Sequence, residues 1–481
     1  MAPTSLQLSV AMTGIEIIAN ENTEAGVDTI AAISTPPGRG GIGIVRLSGP
    51  QAAEIAVQLV SLRQAMEHGR ARLADVLEGL ETDAGAESPA RIDEALVTFF
   101  AAPNSYTAED LVEIAAHGSP VVLDLLLRRA LGLGARLAEP GEFTQRAFLS
   151  GRLDLTQAEA VRDLIDAQTL TQARQAASQM GGAISRRVAP VKQGLVELIA
   201  LMEAGIDFAE DDIDVAPAGE IARRIAELTE PLTALEASFA RGRIVHDGLT
   251  LAIVGRPNAG KSSLFNRLVE RERAIVTATP GTTRDLVTER ISLDGIPLEL
   301  VDTAGLREGL EEAEQLGIAR SREALADAAL VLVVLDATQP LNEEEHRLLA
   351  AVEGRPALIV LNKSDLAEAG AAVALSSGQK MLRTSALTGA GIAALREQIL
   401  ALATGGAASE PGMLTSLRHH QAIETALAAL ADAAQANQAA IPHEMILLDL
   451  YRGLWALDSL TGQTTSDDIL NLIFSTFCIG K

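Results

Sequence analysis

Hydrophobic positions in the first third of the chain form short runs of strand length. They occur at 28–33, 44–47, 94–99 and 111–116. Helical patterns lie between them at 51–62 and 120–131, and a Gly/Pro-rich corner spans Thr35–Gly43. This alternation predicts a mixed α/β domain over residues 27–150.

From Leu155 the apolar positions take the period of an α-helix. Helical patterns rich in Ala, Leu, Glu and Gln cover residues 155–241. They resume after a Gly/Ala/Ser-rich linker, at 416–438, 443–460 and 467–477. We therefore expect an α-helical domain built from two chain segments, residues 151–246 and 405–481. Residues 1–26 are expected to form a disordered extension.

A third pattern separates the two helical segments. Apolar runs of strand length, each ending where a polar motif begins, occur at 249–254, 298–301, 329–335 and 357–361. A helical pattern follows the first run at 263–268. Strands alternating with helices predict a doubly wound parallel sheet that binds ligands at the carboxyl ends of its strands. We expect residues 247–404 to form this domain, inserted into the helical one.

Composition limits the classes of function. The 481 residues carry a formal net charge of −25 and 2% aromatic residues, which argues against a uniformly basic nucleic-acid surface or a base-stacking platform. The lone cysteine, Cys478, allows no internal disulfide and fits a reducing compartment. No apolar run approaches the length of a transmembrane helix, and residues 1–26 contain no Lys or Arg. A cytoplasmic protein without a membrane partner is expected.

The run at 249–254 leads into Gly255-Arg-Pro-Asn-Ala-Gly-Lys-Ser262, which has the spacing of a phosphate-binding loop, or P-loop. Its glycines let backbone N–H groups close around phosphates. Lys261 can reach the β- and γ-phosphates, and the Ser262 hydroxyl can bind Mg²⁺. The strand before the loop and the helical pattern after it are the context that such a loop requires. A nucleoside phosphate site is predicted here.

Two later segments complete the phosphate side of a GTPase site. Asp302 begins the sequence DTAG and can hold Mg²⁺ through water, while the Gly305 N–H can meet the γ-phosphate. Thr283, in the segment Gly281–Asp285, can close on Mg²⁺ when a γ-phosphate is present.

Two other segments read the base. The carboxylate of Asp365, in Asn362-Lys-Ser-Asp365, accepts from N1–H and N2–H₂ of guanine and mismatches adenine. The backbone of Ser385-Ala-Leu387 completes the pocket. The predicted GTP-binding residues are Asn258, Ala259, Gly260, Lys261, Ser262, Ser263, Thr277, Ala278, Thr279, Pro280, Gly281, Thr282, Thr283, Asp302, Thr303, Ala304, Gly305, Asn362, Lys363, Ser364, Asp365, Ser385, Ala386 and Leu387.

Hydrolysis needs a group that orients the attacking water. Ras-like enzymes place glutamine directly after DxxG, but Leu306 holds that position here and cannot polarise water. An acid from the next segment is the expected substitute, and the candidates are Glu308, Glu311, Glu312 and Glu314. No arginine finger is evident. A monovalent cation beside Asn258, completed by carbonyls near Thr277 and Thr279, can take its place.

The motifs GRPNAGKSS, TPGTTRD, DTAGLRE and NKSD resemble those of potassium-activated translation-factor-class GTPases. Three further segments narrow the resemblance to the MnmE (TrmE) family of tRNA modification GTPases. They are TPPGRGGIGIVRLSG (35–49), PGEFTQRAFLSGRLDLTQAEAV (140–161) and the terminal FCIGK (477–481). The similarity extends from about residue 28 to the last residue.

The resemblance implies a function, cofactors and partners. With the FAD-binding partner MnmG, the family adds an aminomethyl or carboxymethylaminomethyl group to C5 of the wobble uridine (U34) in certain tRNAs. GTP hydrolysis drives the cycle, and 5-formyltetrahydrofolate or a related folate supplies the one-carbon unit. The N-terminal α+β domain resembles folate-binding domains and forms a homodimer. The G domains meet face to face, with K⁺ as the charge neutraliser.

The resemblance also assigns residues by motif. Ser262 and Thr283 match the Mg²⁺ ligands, and Glu314 matches the glutamate that orients water. The positions that match K⁺ ligands are Asn258, Thr277, Thr279 and Thr282. Those that match folate contacts are Arg46, Glu113, Arg152 and Lys481. With Glu314, Lys261 and Cys478 complete the expected catalytic set.

The residue types alone support the folate site less directly than the nucleotide site. Arg46, Arg152 and Lys481 can pair with folate carboxylates, and Glu113 can accept from the pterin, but each also fits an ordinary surface charge. Cys478 fits either a small buried hydrophobe or a thiol whose pKa is lowered by Lys481. The alternative function is a regulatory GTPase switch in ribosome assembly or signalling. Such a switch needs neither the CIGK tail nor the GRGGIG loop.

Overall fold

The computed structural model describes residues 28–78, 90–207, 217–269, 288–302, 328–366, 380–404, 412–463, 473–474 and 477–480. The chain divides into two compact units, residues 1–153 with 467–481 and residues 154–466. Within the described ranges, no helix combines the length and apolar character needed to cross a bilayer.

The first unit is built on a seven-stranded sheet in the order β3-β4-β5-β6-β2-β1-β7. Its strands are β1 (Ile30–Ile33), β2 (Gly40–Ser48), β3 (Val60–Leu62), β4 (Ala71–Leu77), β5 (Arg91–Phe100), β6 (Leu111–Gly118) and β7 (Arg136–Leu137). Only the β1–β7 pair is parallel. The helices are α1 (Ala52–Leu59), α2 (Pro120–Gly132) and α3 (Glu142–Leu149). The apolar stripes of α1 and α2 pack on the sheet and bury Leu47, Ile55, Ile114 and Leu126.

The four strands and two helices expected in this unit are present, and three strands were not foreseen. β7 is only two residues long, and β3 directly follows α1, where the helical pattern extends to residue 62. The sequence ARLADVL of β4 does not alternate strictly between polar and apolar side chains, so it lacks the usual pattern of a half-buried strand.

The C-terminal residues pack in the first unit. Ile479 forms a β-bridge with Pro140, and the Gly141 N–H donates to the Cys478 carbonyl oxygen at 3.4 Å. Gly480 has a φ of +93°, and a Cβ there would lie 2.7 Å from the Ile33 carbonyl oxygen. Helical periodicity predicts that residues 405–481 belong together. The structure instead places residues 473–474 and 477–480 in the first unit.

The second unit begins with five helices. They are α4 (Leu155–Asp166), α5 (Leu170–Met180), α6 (Ala183–Asp207), α7 (Ala218–Glu236) and α8 (Phe239–Asp247). Asp154 and Thr169 form capping boxes that start α4 and α5. Each side chain accepts a hydrogen bond from the N3 backbone N–H, and the side chain of the N3 glutamine accepts one from the backbone N–H of the capping residue. Helix α8 ends at its C-cap, Gly248, which has a φ of +84°, one residue before the next strand begins.

A six-stranded sheet follows in the order β13-β12-β11-β8-β10-β9. Its strands are β8 (Leu249–Val254), β9 (Thr288–Leu293), β10 (Ile296–Asp302), β11 (Leu330–Asp336), β12 (Ala357–Asn362) and β13 (Met381–Arg383). The accompanying helices are α9 (Lys261–Val269), α10 (Glu343–Ala351) and α11 (Ile392–Thr404). Every residue of β11 is buried, as its unbroken apolar run predicts for a central parallel strand.

One edge of this sheet departs from the all-parallel prediction. β9 pairs antiparallel with β10. A two-residue turn joins them, with φ of +49° at Asp294 and +87° at Gly295. An Asp-Gly pair between two alternating runs is a strong hairpin signal, so the sequence contained the information for this strand.

Two long helices complete the second unit, α12 (Leu417–Gln438) and α13 (His443–Thr461). Their apolar faces pack against α6 and α7, and the buried contacts include Leu198, Leu232, Ile423 and Leu457. The core of these helices therefore contains side chains from two parts of the sequence, one before and one after the segment that forms the six-stranded sheet.

Candidate nucleotide-binding site

The P-loop joins β8 to α9 at the carboxyl edge of the sheet. A Cβ at Gly255 would lie 2.2 Å from the Val334 carbonyl oxygen, so the loop passes closely over β11. Asn258 is exposed and adopts a left-handed φ of +63°, and Gly260 has a φ of +89°. Glycine favours such a conformation, whereas most other residues avoid it.

Lys261 lies inside the loop. Its ammonium group donates to the carbonyl oxygens of Gly255 at 2.7 Å and Arg256 at 2.9 Å, and 7% of the residue is exposed. These bonds place a positive charge where the sequence predicts the β- and γ-phosphates. Ser262 and Ser263 are exposed in the first turn of α9, whose free N–H groups favour an anion.

Asn362 connects the P-loop to the segments predicted to read the base. Its buried amide donates to the Ala259 carbonyl oxygen at 3.0 Å, and its own oxygen accepts from the Ala386 N–H at 3.1 Å. The Ser364 N–H donates to the Thr384 carbonyl oxygen. One amide side chain thus fixes the spacing of three loops.

Asp365 and the segment Ser385–Leu387 occupy the outer part of the site. Asp365 is exposed, and 79% of Leu387 is exposed. Ser385 is buried, and its hydroxyl accepts from the Thr388 N–H at 3.1 Å. Arg267 of α9 donates to the carbonyl oxygens of Ala386 and Leu387 at 3.1 and 2.9 Å. Sequence reasoning did not select Arg267, because nothing local links it to residues so distant in the chain.

The structure therefore brings together residues 258–263, 362–365 and 385–387. Asp302 ends β10, and its backbone is paired in register with Ile253 of β8. The other predicted nucleotide and cation residues lie outside the described residues; they are Thr277, Ala278, Thr279, Pro280, Gly281, Thr282, Thr283, Thr303, Ala304, Gly305 and Glu314.

Three of the predicted folate residues lie in the described part of the first unit. Arg46 and Glu113 face each other across β2 and β6, and the guanidinium donates to Glu113 Oε1 at 2.7 and 3.0 Å. The Arg46 guanidinium also lies over the rings of Tyr106 and Phe143, at 5.8 and 5.5 Å from their centroids. Arg46 and Glu113 were predicted as separate ligands, whereas in the structure they form an ion pair.

Arg152 lies at an open cleft of about 640 Å³. Its guanidinium donates to the Tyr106 carbonyl oxygen at 2.8 Å and lies 5.2 Å from the centre of the Tyr106 ring. Tyr106 and Glu113 also line the cleft. Burial raises the pKa of the Tyr106 hydroxyl, although its hydrogen bond with Thr144 opposes the shift. Tyr106 was not predicted, because a single tyrosine in a loop gives no signal.

Cys478 is exposed and Lys481 lies outside the described residues. The Gly480 carbonyl oxygen accepts from the Arg46 guanidinium at 3.3 Å. Gly480 therefore lies beside the Arg46–Glu113 pair.

Solved structures match part of the chain. The G domain of the T. maritima FeoB iron transporter is 26% identical, with a TM-score of 0.24, and the match covers 32% of this chain and 98% of that one.

Two family models and many curated proteins match the chain. The model described as GTP-binding protein TrmE N-terminus matches residues 29–152, and the MnmE helical domain model matches residues 155–478. The tRNA modification GTPase MnmE of Koribacter versatilis (strain Ellin345) is 58% identical over 94% of this chain and 99% of its own length. That of Alkaliphilus oremlandii (strain OhILAs) is 39% identical over the same shares. The chain belongs to the MnmE (TrmE) family of tRNA modification GTPases.

Proposed function

We propose that this chain is the GTP-hydrolysing component of a cytoplasmic enzyme that modifies C5 of the wobble uridine in tRNA. The observation that carries the proposal is the convergence of the P-loop, Asn362–Asp365 and Ser385–Leu387 at one edge of a sheet, in a member of this family. The chain spans 99% of the length of its matched relatives, and the proposal extends their printed function to it.

In this proposal the P-loop binds the phosphates of GTP. The Lys261 ammonium and the free N–H groups at the start of α9 balance the phosphate charge. Mg²⁺ would be held by Ser262 and Thr283, and when bound it neutralises charge on the β- and γ-phosphates. Ser262 fits this role because its hydroxyl is exposed in the first turn of α9. Glu314 is proposed to orient the attacking water.

K⁺ is proposed to take the place of an arginine finger. Asn258 fits as a ligand, because it offers an amide oxygen from an exposed left-handed turn of the P-loop. Thr277, Thr279 and Thr282 would complete the site. The bound ion supplies positive charge next to the phosphates.

Replacing KCl with NaCl at constant ionic strength should lower the turnover of GTP by about tenfold or more. The reason is that K⁺, the larger of the two ions, is proposed to supply the positive charge beside the phosphates. GTP affinity should change little. The measurement is phosphate release under saturating GTP. Equal rates in the two salts would remove the K⁺ assignment and leave the GTPase assignment intact.

Asp365→Asn should lower GTP affinity by about tenfold to a hundredfold, because a charged acceptor for two guanine donors is lost. XTP affinity should rise, since the new amide can donate to the C2 oxygen of xanthine. Titration with GTP and XTP measures both. Glu353→Gln, which removes one exposed charge elsewhere in the domain, serves as the matched control. Unaltered GTP binding by Asp365→Asn would count against the base assignment.

We further propose that the first unit binds a folate and forms a homodimer, and that the FAD-binding protein MnmG is the partner. The cleft beside Arg152 supports a folate site. Arg46 engages only Oε1 of Glu113, and Oε2 has no hydrogen bond among the described residues. That oxygen can accept from a pterin N–H, while Arg152 and Lys481 can pair with a carboxylate. The function of Cys478 as a reactive thiol is proposed on the family resemblance alone.

The decisive test is mass analysis of the wobble uridine in tRNA from cells lacking this protein. The C5 modification should be absent and should return with the parent gene but not with Asp365→Asn. An intact modification in the deleted strain would overturn the proposal and favour a regulatory GTPase switch.

A further inference from the structure

Asp336, which ends β11, was not among the predicted site residues. Its side chain is 4% exposed and accepts from the Lys363 ammonium at 2.8 Å and from the Thr338 hydroxyl at 2.6 Å. A guanidinium nitrogen of Arg256 lies 3.6 Å from the same carboxylate oxygen that binds Lys363. The parallel register of β11 and β12 explains the position, because it places Asp336 directly opposite Asn362.

A second buried carboxylate holds Arg256 from the other side. Arg256 Nε lies 3.3 Å from Glu345 Oε1, and the Glu345 side chain is 1% exposed. The other oxygen of Glu345 accepts from the Asn342 N–H, in the capping box that starts α10. Glu345 is therefore oriented by the helix, and it orients Arg256 in turn.

The charges in this cluster are balanced. Burial raises the pKa of Asp336, but hydrogen bonds from Lys363 and Thr338 outweigh burial and hold the pKa below its usual range. Asp336 is therefore ionised at neutral pH. Loss of the charge on Asp336 would remove the carboxylate that pairs with Lys363 and would leave Arg256 with Glu345 alone.

The two cations belong to different parts of the nucleotide site. Arg256 lies in the P-loop, and its carbonyl oxygen accepts from the Lys261 ammonium. Lys363 lies between Asn362, which binds the P-loop backbone, and Asp365, which is proposed to read the base. A single carboxylate thus contacts both the loop for the phosphates and the segment for guanine.

We propose that Asp336 is a positioning residue for nucleotide binding: it holds Arg256 and Lys363 so that the P-loop and the guanine-reading segment keep their spacing. The proposal rests on the proposed GTP site. It assigns Asp336 no contact with the nucleotide. Its loss should weaken the binding of both GDP and GTP without changing the reaction once GTP is bound.

Asp336→Asn keeps the shape of the side chain and removes its charge. We expect its Kd for a fluorescent GDP analogue to rise about tenfold, which corresponds to about 1.4 kcal/mol. Dissociation should be faster, kcat at saturating GTP should stay within about twofold of the parent, and the preference for guanine over xanthine should not change. A merely structural defect would lower kcat and the unfolding temperature together.

Glu343→Gln is the matched control. Glu343 lies in the first turn of α10, its side chain is 91% exposed, and it pairs with Arg347 one turn away. This variant should bind GDP like the parent. The variants Arg256→Ala, Asp336→Asn and their combination form a double-mutant cycle. The combined loss should be smaller than the sum of the single losses, because the two residues act through one contact.

The outcomes distinguish an error in the proposed GTP site from an error in the proposed role of Asp336. If the parent protein does not bind GDP, the proposed GTP site itself fails. If the parent binds and Asp336→Asn binds equally well, or the cycle is additive, the positioning role of Asp336 is wrong. Should Asp336→Asn not fold, Glu345→Gln decides: the inference requires weaker GDP binding, and an unchanged Kd contradicts it.

Discussion

Gly260→Ala is expected to reduce GTP affinity by about a thousandfold, or about 4 kcal/mol. Two effects combine. The residue has a φ of +89°, which strains an alanine backbone. The added Cβ would also lie 2.3 Å from the amide nitrogen of Asn362. That amide cannot move freely, because it is buried and binds Ala259 and Ala386.

The clash matters more than the strain, and a second glycine separates the two. Gly354 has a φ of +78° in the turn after α10, but a Cβ there meets nothing within 4 Å. Gly354→Ala should therefore lower stability by about 1 kcal/mol and leave the Kd for GTP unchanged. Calorimetry with GTP, together with thermal unfolding, measures both quantities. Near-parental affinity in Gly260→Ala would show that the loop can relax away from Asn362.

Glu159→Gln is expected to lower the free energy of unfolding of the helical part by about 3 kcal/mol. Glu159 of α4 accepts from the Arg418 guanidinium at 2.8 and 2.9 Å and bonds with the His419 ring at 2.6 Å. His419 is 1% exposed. Glutamine would leave the Arg418 guanidinium without its carboxylate counter-ion. Arg418 lies in α12, which follows the sheet-forming segment in the sequence. The pair therefore holds α4 to α12.

The same carboxylate predicts how stability depends on pH. Burial raises the pKa of Glu159, but His419 and Arg418 lower it by more, to about 2. The ordinary value is 4.5. The stabilisation is thus fully present above pH 4.5 and is lost as the pH falls towards 2. The difference in unfolding free energy between parent and Glu159→Gln should shrink over that range.

Urea unfolding followed by tryptophan fluorescence measures this effect locally, because Trp455 of α13 is the only tryptophan in the chain. Glu227→Gln is the control. Glu227 is 60% exposed and pairs with Arg223 one turn away, so its replacement should change stability by less than about 1 kcal/mol. A Glu159→Gln loss no larger than that of the control would mean that water reaches Arg418.

Local signals in the sequence predicted the elements that carry the nucleotide site. The apolar runs at 249–254, 329–335 and 357–361 became β8, β11 and β12, and each ends at its polar motif. The motifs are easy to recognise because each places its predicted binding groups within a few consecutive residues. The Asp-Gly turn before β10 is an equally clear signal for a β-hairpin, but the hairpin was not predicted.

Contacts between residues far apart in the sequence could not be predicted from the sequence. Arg46 and Glu113 are partners because of the register of β2 and β6, and the single chain contains no signal for register. Asp336 is an acid at the end of a strand, and only the pairing of β11 with β12 shows which cations it meets. The C-terminal residues were assigned to the helical segment because periodicity reports local structure and not the surface on which a segment packs.

The sequence by itself determined the alternation of elements, the P-loop, the NKSD motif and the family, because each depends on residue types at short spacing. The tertiary structure decided which charges are paired, which carboxylate contacts both Arg256 of the P-loop and Lys363 of the NKSD motif, and where residues 477–480 lie. Those features depend on strand register and on packing between segments tens to hundreds of residues apart, where burial and distance set the interaction energies.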